Sequence, residues 1–327
     1  MSVINRCLAC YKALDGSEKD YHASCCKSFF GQPSPPEMPY ALNELEALAE
    51  KIVKSSITVP GVQEKISLHL EEAENVAGKL TLVGLWGDYI LKPPARKYPE
   101  MPEVEDLTMH LASVWDILIV PHCLIRLKSG ELAYITKRID REQEQKICHM
   151  EDMCQLTERL TEQKYRSSME KIGKAIRKYS SHPLLDITRF FDITTFCFIT
   201  GNADMHLKNF SLYYKDANLV QLAPAYDLVA TRLIIPAKVD PEEMALSLNG
   251  KKAKLKRHDF DSFATTIGLN EKQLANAYKR IESRVSRAIG FIDNSFISGD
   301  KKDQLKALIN ERVRRLGLNQ PSPQNQL

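Results

Sequence analysis

The chain has no long apolar run and little net charge. No stretch approaches the roughly 20 consecutive apolar residues that a membrane-spanning helix needs, and the segment Met1 to Cys7 has no secretory apolar core. We therefore expect a cytoplasmic protein with no membrane partner, while delivery into a host cell stays open. The formal net charge of the 327 residues is only +3. Because so small a charge does not require nucleic acid as a partner, no direct nucleic-acid binding is expected.

Disulfide scaffolds and internal repeats are also lacking. Eight cysteines in 327 residues are too few for a disulfide scaffold. Four of them lie scattered among apolar neighbours and should pack as small hydrophobic side chains: Cys123, Cys148, Cys154 and Cys197. The length exceeds one typical domain of roughly 100 to 200 residues and fits two lobes that share a cleft.

The other four cysteines cluster near the start, beside a histidine. Cys7, Cys10, His22 and Cys25 have the spacing C-x2-C-x11-H-x2-C, which suits a tetrahedral zinc site. Cys26 is an alternative fourth ligand, and a reduced, metal-free hairpin packed on the following lobe is the competing interpretation. With all four positions filled by protein, such a site would be structural or partner-binding, because a catalytic zinc keeps one position open.

The most informative stretch lies in the second half. Asp204 and Asn209 are five residues apart, the spacing of the catalytic loop of protein kinases, and Asp227 follows eighteen residues later. Phosphoryl transfer needs one carboxylate near the attacking hydroxyl, and an amide and a second carboxylate to hold metal ions. Magnesium prefers such hard oxygen ligands. These residue types therefore predict a magnesium-dependent phosphoryl-transfer site, although Asp and Asn singly are also common turn residues.

The two halves of this stretch resemble the signature of a known family. Gly201-Asn202-x-Asp204-x-His206-x-Lys208-Asn209-Phe210 and Tyr226-Asp227-Leu228 are similar to motifs of the HipA-like serine/threonine kinases, a bacterial toxin family distantly similar to protein kinases. The resemblance implies an α+β, bilobal, protein-kinase-like fold, with a small β-rich N-lobe and a large helical C-lobe. It also implies ATP and Mg²⁺ as cofactors.

The resemblance assigns roles to the residues of these motifs. Asp204 would position or deprotonate the acceptor hydroxyl, while Asn209 and Asp227 would bind Mg²⁺ and, with Lys208, the nucleotide phosphates. His206 would orient the loop, touch phosphate, or serve a structural hydrogen-bonding role. The expected domains are a knuckle over 1–31, an N-lobe over 32–140, a C-lobe over 141–318 and a disordered tail over 319–327.

A hydroxyl-rich loop precedes the first predicted strand, in which Ile66, Leu68 and Leu70 alternate with polar residues. In the family, a similar loop ending Gly-x-Gln-x-Lys covers ATP and carries an inhibitory autophosphorylation site. The resemblance therefore implies nucleotide-binding positions at Val59, Gly61, Gln63 and Lys65 and autophosphorylation at Ser56 or Thr58. Gly61 stands alone, which departs from the G-x-G-x-x-G loop of protein kinases.

Lys92 ends a predicted strand and is the candidate for the lysine that contacts the α- and β-phosphates. Its expected partner is Glu105, at the front of an amphipathic helix over 104–118 in which Leu118 also faces inward. A solvated Glu105 that favours the helix dipole is the alternative. The resemblance places the adenine-contacting hinge at Lys137 to Ile139, through main chain more than side chain.

Several helices are expected from the apolar periodicity and capping signals. They cover about 43–52, with its start at Asn43 and Glu46 as the capping acid, then 151–165, 168–179, 186–200 and 302–316, and a further one begins after Asn270. The helix over 186–200 is apolar nearly all round and should form the buried centre of the C-lobe.

The resemblance covers roughly 42–316, and the knuckle stands where longer family members carry about a hundred further residues. The chain is thus similar to the short kinases of three-component systems, in which a separate subunit can act as antitoxin, and to free-standing short members. Family substrates suggest an aminoacyl-tRNA synthetase or a host protein as the protein substrate. The competing classes are a nucleotide-binding pseudokinase or scaffold, and a zinc-dependent nucleic-acid-binding regulator.

Overall fold

A computed structural model describes residues 5–55, 65–71, 78–83, 87–141, 148–216 and 219–318. The chain divides into two compact units. Unit 1 comprises Met1–Asp106, Val120–Ile139 and Asn294–Phe296, and unit 2 comprises Leu107–Ile119, Asp140–Asp293 and Ile297–Leu327. The positions predicted at Ser56, Thr58, Val59, Gly61 and Gln63, and the predicted tail over 319–327, lie outside the described residues.

An antiparallel sheet is the centre of unit 1. Its order is β2-β1-β3-β5-β4, and its strands are β1 (Ile66–Glu71), β2 (Lys79–Leu82), β3 (Tyr89–Lys92), β4 (His122–Arg126) and β5 (Leu132–Lys137). Along β1 the side chains of Ile66, Leu68 and Leu70 are buried and alternate with half-buried or exposed ones. The period of two confirms the strand predicted there, because successive side chains of a strand point to opposite faces.

Three helices begin in unit 1: α1 (Ala23–Phe30), α2 (Leu42–Ser55) and α3 (Met101–Val114). Helix α2 begins one residue before the predicted Asn43, and the acid that closes its first turn is Glu44 rather than Glu46. Glu44 accepts a hydrogen bond of 2.7 Å from the Ala41 N–H, which is the reciprocal half of a capping box.

Helix α3 ends at Val114, earlier than predicted. Asp116 adopts a left-handed conformation with φ 58°, which a continuing right-handed helix cannot include. Leu118 therefore leaves the apolar face of the helix and is 53% exposed. The prediction that Leu118 faces inward is wrong, whereas Leu107, Leu111, Val114 and Trp115 are buried as expected.

The knuckle over 5–31 shares one hydrophobic core with the sheet. Phe29 and Phe30 pack against Tyr89 of β3, with ring centroids 5.7 and 6.1 Å apart. Cys26 lies in the same core and is 1% exposed. The knuckle is therefore a layer of unit 1, because it contributes its own side chains to a core that it shares with β1, β3 and β4.

Unit 2 is mostly helical. Its described elements are β6 (His149–Asp152), α4 (Met153–Leu156), α5 (Met169–Tyr179), α6 (Pro183–Thr200), β7 (Ser211–Asp216), β8 (Leu219–Leu222), α7 (Arg257–Ile267), α8 (Glu271–Ile292) and α9 (Gly299–Arg315), with the sheet order β6-β7-β8. Ser168 caps α5, and Asn270 and Gln273 form the predicted capping box of α8. Helix α6 is the buried centre of this unit, as predicted, since its residues from Ile193 to Thr200 are all buried.

The helix predicted over 151–165 is wrong. The segment begins as β6, which pairs with β7, and continues as the single-turn helix α4 and a 3-10 turn over Thr161–Gln163. Asp152 ends the strand and caps α4 by accepting the Gln155 N–H at 3.0 Å, while Glu158 is left-handed with φ 53°. Pairing with β7 and these local turns override the helical propensity of the segment.

Among the helices of the described ranges, none is long and apolar enough to cross a membrane.

Candidate active site

The loop over 202–209 begins where α6 ends at Gly201. Gly201 has φ 72°, and a Cβ there would lie 2.6 Å from Leu308 and 2.8 Å from Arg232, so that a larger residue would be both strained and crowded. Thr231 fixes the turn that follows: its hydroxyl accepts the Ala203 N–H at 2.8 Å and donates to the Gly201 carbonyl at 3.1 Å. The chain therefore leaves α6 in one defined direction.

Asp204 and Asn209 are held to each other within the loop. The Asn209 side-chain amide donates to the Asp204 carbonyl at 3.0 Å, and the Asn202 side-chain oxygen accepts the Asp204 N–H at 3.0 Å. Asn209 is buried, whereas the Asp204 carboxylate is exposed. Because the Asn209 side-chain nitrogen is engaged in the hydrogen bond to Asp204, the side-chain oxygen is the atom that can coordinate a metal ion.

Tyr226 fastens the second half of the motif to this loop. Its hydroxyl donates to the Lys208 carbonyl at 3.0 Å and accepts from the Ser211 hydroxyl, 2.6 Å away. Burial raises the pKa of Tyr226, so the hydroxyl remains a donor at neutral pH. Asp227 follows in a left-handed conformation with φ 56°. Such backbone conformations are uncommon outside glycine and occur often at functional sites.

His206 is a buried residue of the same loop, and the carboxylates of Asp204 and Asp227 both affect its pKa. It is only 6% exposed, and its Nδ1 has no hydrogen-bond partner within the described part of the chain. The pKa of His206 is lowered to about 4, chiefly by burial; Lys164 acts in the same direction, while Asp204 and Asp227 oppose the shift. The imidazole is therefore neutral at pH 7, and its ring packs edge-on against Tyr165 with centroids 5.0 Å apart.

The oxygen donors of this loop suit magnesium. The Asn209 side-chain oxygen and the Asp227 carboxylate are hard ligands, and Mg²⁺ commonly takes only one or two protein ligands beside substrate phosphates. Tyr226, the residue before Asp227, is hydrogen-bonded to the Lys208 carbonyl, next to Asn209. The residues present therefore fit the predicted metal, and their assignment as ligands stays a prediction.

Lys208, the remaining predicted residue of this loop, forms an ion pair with another side chain of the same chain. The Lys208 ammonium lies 2.6 Å from a carboxylate oxygen of Asp152, the residue that caps α4. Sequence reasoning missed this partner because it placed Asp152 in a helix. It also missed Tyr165, which donates to Asp204 Oδ1 at 2.6 Å, and Thr231. No spacing signal marks either residue, since tertiary packing alone brings them to the loop.

Unit 1 contains the predicted lysine–glutamate pair. Lys92 Nζ lies 2.5 Å from Glu105 Oε1, and the side chains are 4% and 0% exposed. The ammonium also lies 5.3 Å from the centroid of the Tyr134 ring, on the neighbouring strand β5. The contact expected from the sequence is present, which excludes the solvated Glu105, and the role of Lys92 toward phosphate stays a prediction.

The other predicted nucleotide-binding positions that the structure describes, Lys65, Lys137 and Ile139, lie at or near the ends of strands. Lys65 is exposed just before β1. At the predicted hinge the Lys137 N–H donates to the Pro121 carbonyl at 2.9 Å, and the Lys137 ammonium lies 5.9 Å from the centroid of the Tyr89 ring. Ile139 is half-buried. The hinge role of Lys137 and Ile139 stays a prediction, and the N–H of Lys137 is already engaged within unit 1.

The knuckle brings its predicted ligands together. The ligand atoms of Cys7, Cys10, His22 and Cys25 all lie within 4.8 Å of one another. Cys26, the alternative ligand, is not part of this group, and its side chain is buried in the hydrophobic core of unit 1.

Comparison with solved structures identifies the class of fold. The chain is similar to a chain of the Shewanella oneidensis MR-1 toxin–antitoxin system HipA, HipB and operator DNA complex, with a TM-score of 0.64, 20% identity, and coverage of 80% of this chain and 65% of that chain. It is also similar to the Helicobacter pylori proinflammatory kinase CtkA, with a TM-score of 0.55, 18% identity, and coverage of 76% and 93%. The predicted α+β, protein-kinase-like fold class is thereby confirmed.

Sequence comparison then identifies the family. The family model described as HipA-like C-terminal domain matches residues 57–289, more than half of the chain. The chain belongs to this family. Its relatives include the putative kinases Y4mE and Y4dM of Sinorhizobium fredii, 29% identical over 71% of this chain and 28% identical over 78%. It spans only 58% and 63% of the length of these two relatives. A putative kinase of Haemophilus influenzae is 25% identical, with coverage of 72% of this chain and 74% of the relative.

Proposed function

We propose that this protein is a kinase that transfers the γ-phosphoryl group of ATP to a serine or threonine hydroxyl of a protein. The observation that carries the proposal is the buried Lys92–Glu105 pair. Removing an ammonium and a carboxylate from water is costly, so a buried pair is weak evidence for stability by itself. In protein kinases the same pairing, between a lysine on the third strand and a helical glutamate, must be in place for phosphoryl transfer.

The residues of unit 2 supply the remaining functions of such an enzyme. Asp204 is exposed, and Tyr165 donates to one of its carboxylate oxygens. The second oxygen of Asp204 can accept the hydroxyl of the substrate and draw its proton as phosphoryl transfer proceeds. His206, within the same loop, is buried and neutral at pH 7, so it adds no positive charge there. Asp204 therefore orients the acceptor, and Tyr165 orients Asp204.

Asn209 and Asp227 would hold Mg²⁺. The bound ion supplies neutralisation of the phosphate charge that develops during phosphoryl transfer. The chain contributes the positions of the two side chains: the Asn209 nitrogen is engaged by the Asp204 carbonyl, and the Tyr226 hydroxyl holds the segment before Asp227 to the Lys208 carbonyl. Removal of the metal with a chelator should therefore abolish phosphoryl transfer.

Three finer elements belong to the same proposal. The enzyme would autophosphorylate on Ser56 or Thr58, where a phosphate of up to about two negative charges would repel ATP phosphates. It would act as a toxin-type kinase with a separate antitoxin subunit, which the likeness to the HipA of a HipA–HipB–operator complex supports. Its substrate would be an aminoacyl-tRNA synthetase or a host protein.

The test is transfer of labelled γ-phosphate by the purified full chain. Wild type with ATP and Mg²⁺ should label itself or a protein of a cell lysate, with label on serine or threonine. Asp204→Asn and Asp227→Asn should each reduce transfer by at least about a hundredfold, the usual contribution of a positioned acid or base. Phosphosite mass spectrometry on cells expressing wild type or Asp227→Asn would identify the substrates.

Asp293→Asn is the matched control. Asp293 is an exposed aspartate that pairs with Lys306, and its substitution should leave transfer unchanged. Calorimetric ATP binding by wild type without any transfer of phosphate would favour the nucleotide-binding scaffold instead. Full activity of Asp204→Asn would refute the assigned base.

A further inference from the structure

Three thiols and an imidazole nitrogen are gathered at one point of the knuckle. The sulfur atoms of Cys10 and Cys25 lie 3.4 and 3.8 Å from His22 Nδ1. With Cys7, all four ligand atoms lie within 4.8 Å of one another. None of the three cysteines forms a disulfide. Such a spacing brackets the sulfur–sulfur and sulfur–nitrogen separations of a tetrahedral site with Zn–S bonds of about 2.3 Å and Zn–N bonds of about 2.0–2.1 Å.

The orientation of His22 is fixed by a second contact. Its Nε2 lies 3.0 Å from the Ala13 carbonyl oxygen. A carbonyl can only accept, so Nε2 carries the proton and donates, and in the neutral ring Nδ1 then has its lone pair available. Nδ1 is the nitrogen that faces the thiols. A hydrogen bond from the outer ring nitrogen to a carbonyl is the usual support of a metal-bound histidine.

The backbone around the thiols forms a compact turn. The Cys7 N–H donates to the Lys12 carbonyl and the Tyr11 N–H donates to the Cys7 carbonyl, both at 2.9 Å. Tyr11 is left-handed with φ 62°. This turn holds Cys7 and Cys10 on the same side, while His22 and Cys25 come from the start of α1. The ligand pairs thus come from two short segments, each with its own local hydrogen bonds.

We propose that Cys7, Cys10, His22 and Cys25 bind one zinc ion in a closed tetrahedral site. Bonds from three sulfur atoms and one nitrogen replace the waters of the ion, and the protons of the thiols pass to solvent, so no oxidant or reductant is needed. Every coordination position is filled by protein. The ion is therefore structural and takes no direct part in the proposed phosphoryl transfer.

The knuckle that the ion would hold is attached to the rest of unit 1 at several points. The Leu124 N–H of β4 donates to the Leu8 carbonyl at 3.1 Å, and the Tyr21 hydroxyl donates to the Leu124 carbonyl at 2.5 Å. Tyr11, between the two ligand pairs, donates to Asp106 Oδ2 at 2.7 Å. Asp106 directly follows Glu105 on α3. A rigid knuckle therefore supports the part of α3 that contains Glu105.

The metal content of the full chain tests the proposal. Protein expressed with zinc and purified without chelator should contain about one zinc ion per chain, as measured by inductively coupled plasma mass spectrometry. Cys7→Ser and Cys25→Ser should each lose most of that zinc and melt at lower temperature. Cys26→Ala is the matched control, because it removes the adjacent sulfur, which lies in the core, and should retain the zinc.

Cobalt titration of the wild-type chain keeps the test independent of how well the variants fold. Co²⁺ added to the chelator-stripped protein should give thiolate-to-cobalt charge-transfer absorption and intense d–d bands, both typical of a tetrahedral thiolate-rich site, and added Zn²⁺ should abolish them. The assignment would be overturned if the wild-type chain bound neither ion or contained iron instead. It would also be overturned if Cys26→Ala lost as much zinc as Cys7→Ser and Cys25→Ser. None of these outcomes depends on kinase activity.

Discussion

The two units organise their charged groups in opposite ways. In unit 1 an ammonium and a carboxylate, Lys92 and Glu105, meet in a pair that is almost wholly buried. In unit 2 the Asp204 carboxylate is exposed, His206 is buried and neutral at pH 7, and Lys208 pairs with Asp152. In unit 1 the positive charge of Lys92 is therefore compensated by another side chain of the protein, Glu105. The carboxylates of unit 2 form an arrangement that a hard cation such as Mg²⁺ would complete.

Breaking the buried pair should have the largest effect on stability. Lys92→Met leaves the Glu105 carboxylate buried without its ammonium, which should lower the free energy of unfolding by about 3–5 kcal/mol. It should also abolish phosphoryl transfer. Denaturant unfolding and the labelled-phosphate assay measure the two effects separately.

The double variant Lys92→Met, Glu105→Met is the matched control for that loss. Replacing both members of a buried ion pair by apolar residues is often neutral for stability. We expect most of the lost stability to return without any return of activity. A loss below about 1 kcal/mol in the single variant would show that the pair is solvated in solution, as exposed pairs are.

A smaller effect should come from the buried imidazole of unit 2. The pKa of His206 is about 4 in the folded protein and about 6.5 in the unfolded chain. As the pH falls through 6.5, the unfolded chain binds the proton first, so stability is lost until the pH reaches about 4. At about 1.36 kcal/mol for each pH unit, the loss has an upper limit of roughly 3 kcal/mol.

Metal-free unfolding measured between pH 7 and pH 4 checks this sign. His206→Gln should remove that part of the slope, because glutamine does not titrate. Lys164, Asp204 and Asp227 also affect this imidazole, so the comparison with wild type matters more than the absolute slope. An identical slope in wild type and His206→Gln would refute the buried neutral histidine.

The smallest effect should come from the hydroxyl that joins the two halves of the unit 2 motif. Tyr226→Phe leaves the Lys208 carbonyl and the Ser211 hydroxyl without this partner, which should cost about 1–2 kcal/mol. The Michaelis constant for ATP should rise, because the segment before Asp227 loses its attachment. Tyr213→Phe, on the same strand as Ser211, is the control. Equal melting temperatures and kinetics for Tyr226→Phe and wild type would show that the hydroxyl does not position Asp227.

Elements with strong local signals were predicted well. Helices α5, α6 and α8 follow the pattern of their apolar residues, α8 also begins at its predicted capping box, and β1 follows its alternation. The segment over 151–165 was predicted wrongly because its partner, β7, lies some 60 residues away in sequence and local propensity does not encode that pairing. Leu118 was placed inward because the early end of α3 at a left-handed Asp116 leaves no mark in the apolar periodicity.

The amino-acid sequence alone specifies which chemical groups are present and how they are spaced: an Asp–Asn loop with a later Asp, a strand lysine, a helical glutamate, and a Cys–His set. Spacing is sufficient there because the chemistry restricts the residue types and the local backbone keeps them together. The contacts that orient these groups, such as Tyr165 with Asp204, Asp152 with Lys208 and Ala13 with His22, are visible only in the folded chain. Those contacts join segments whose meeting depends on how whole elements pack, and packing is set by the burial of many side chains at once.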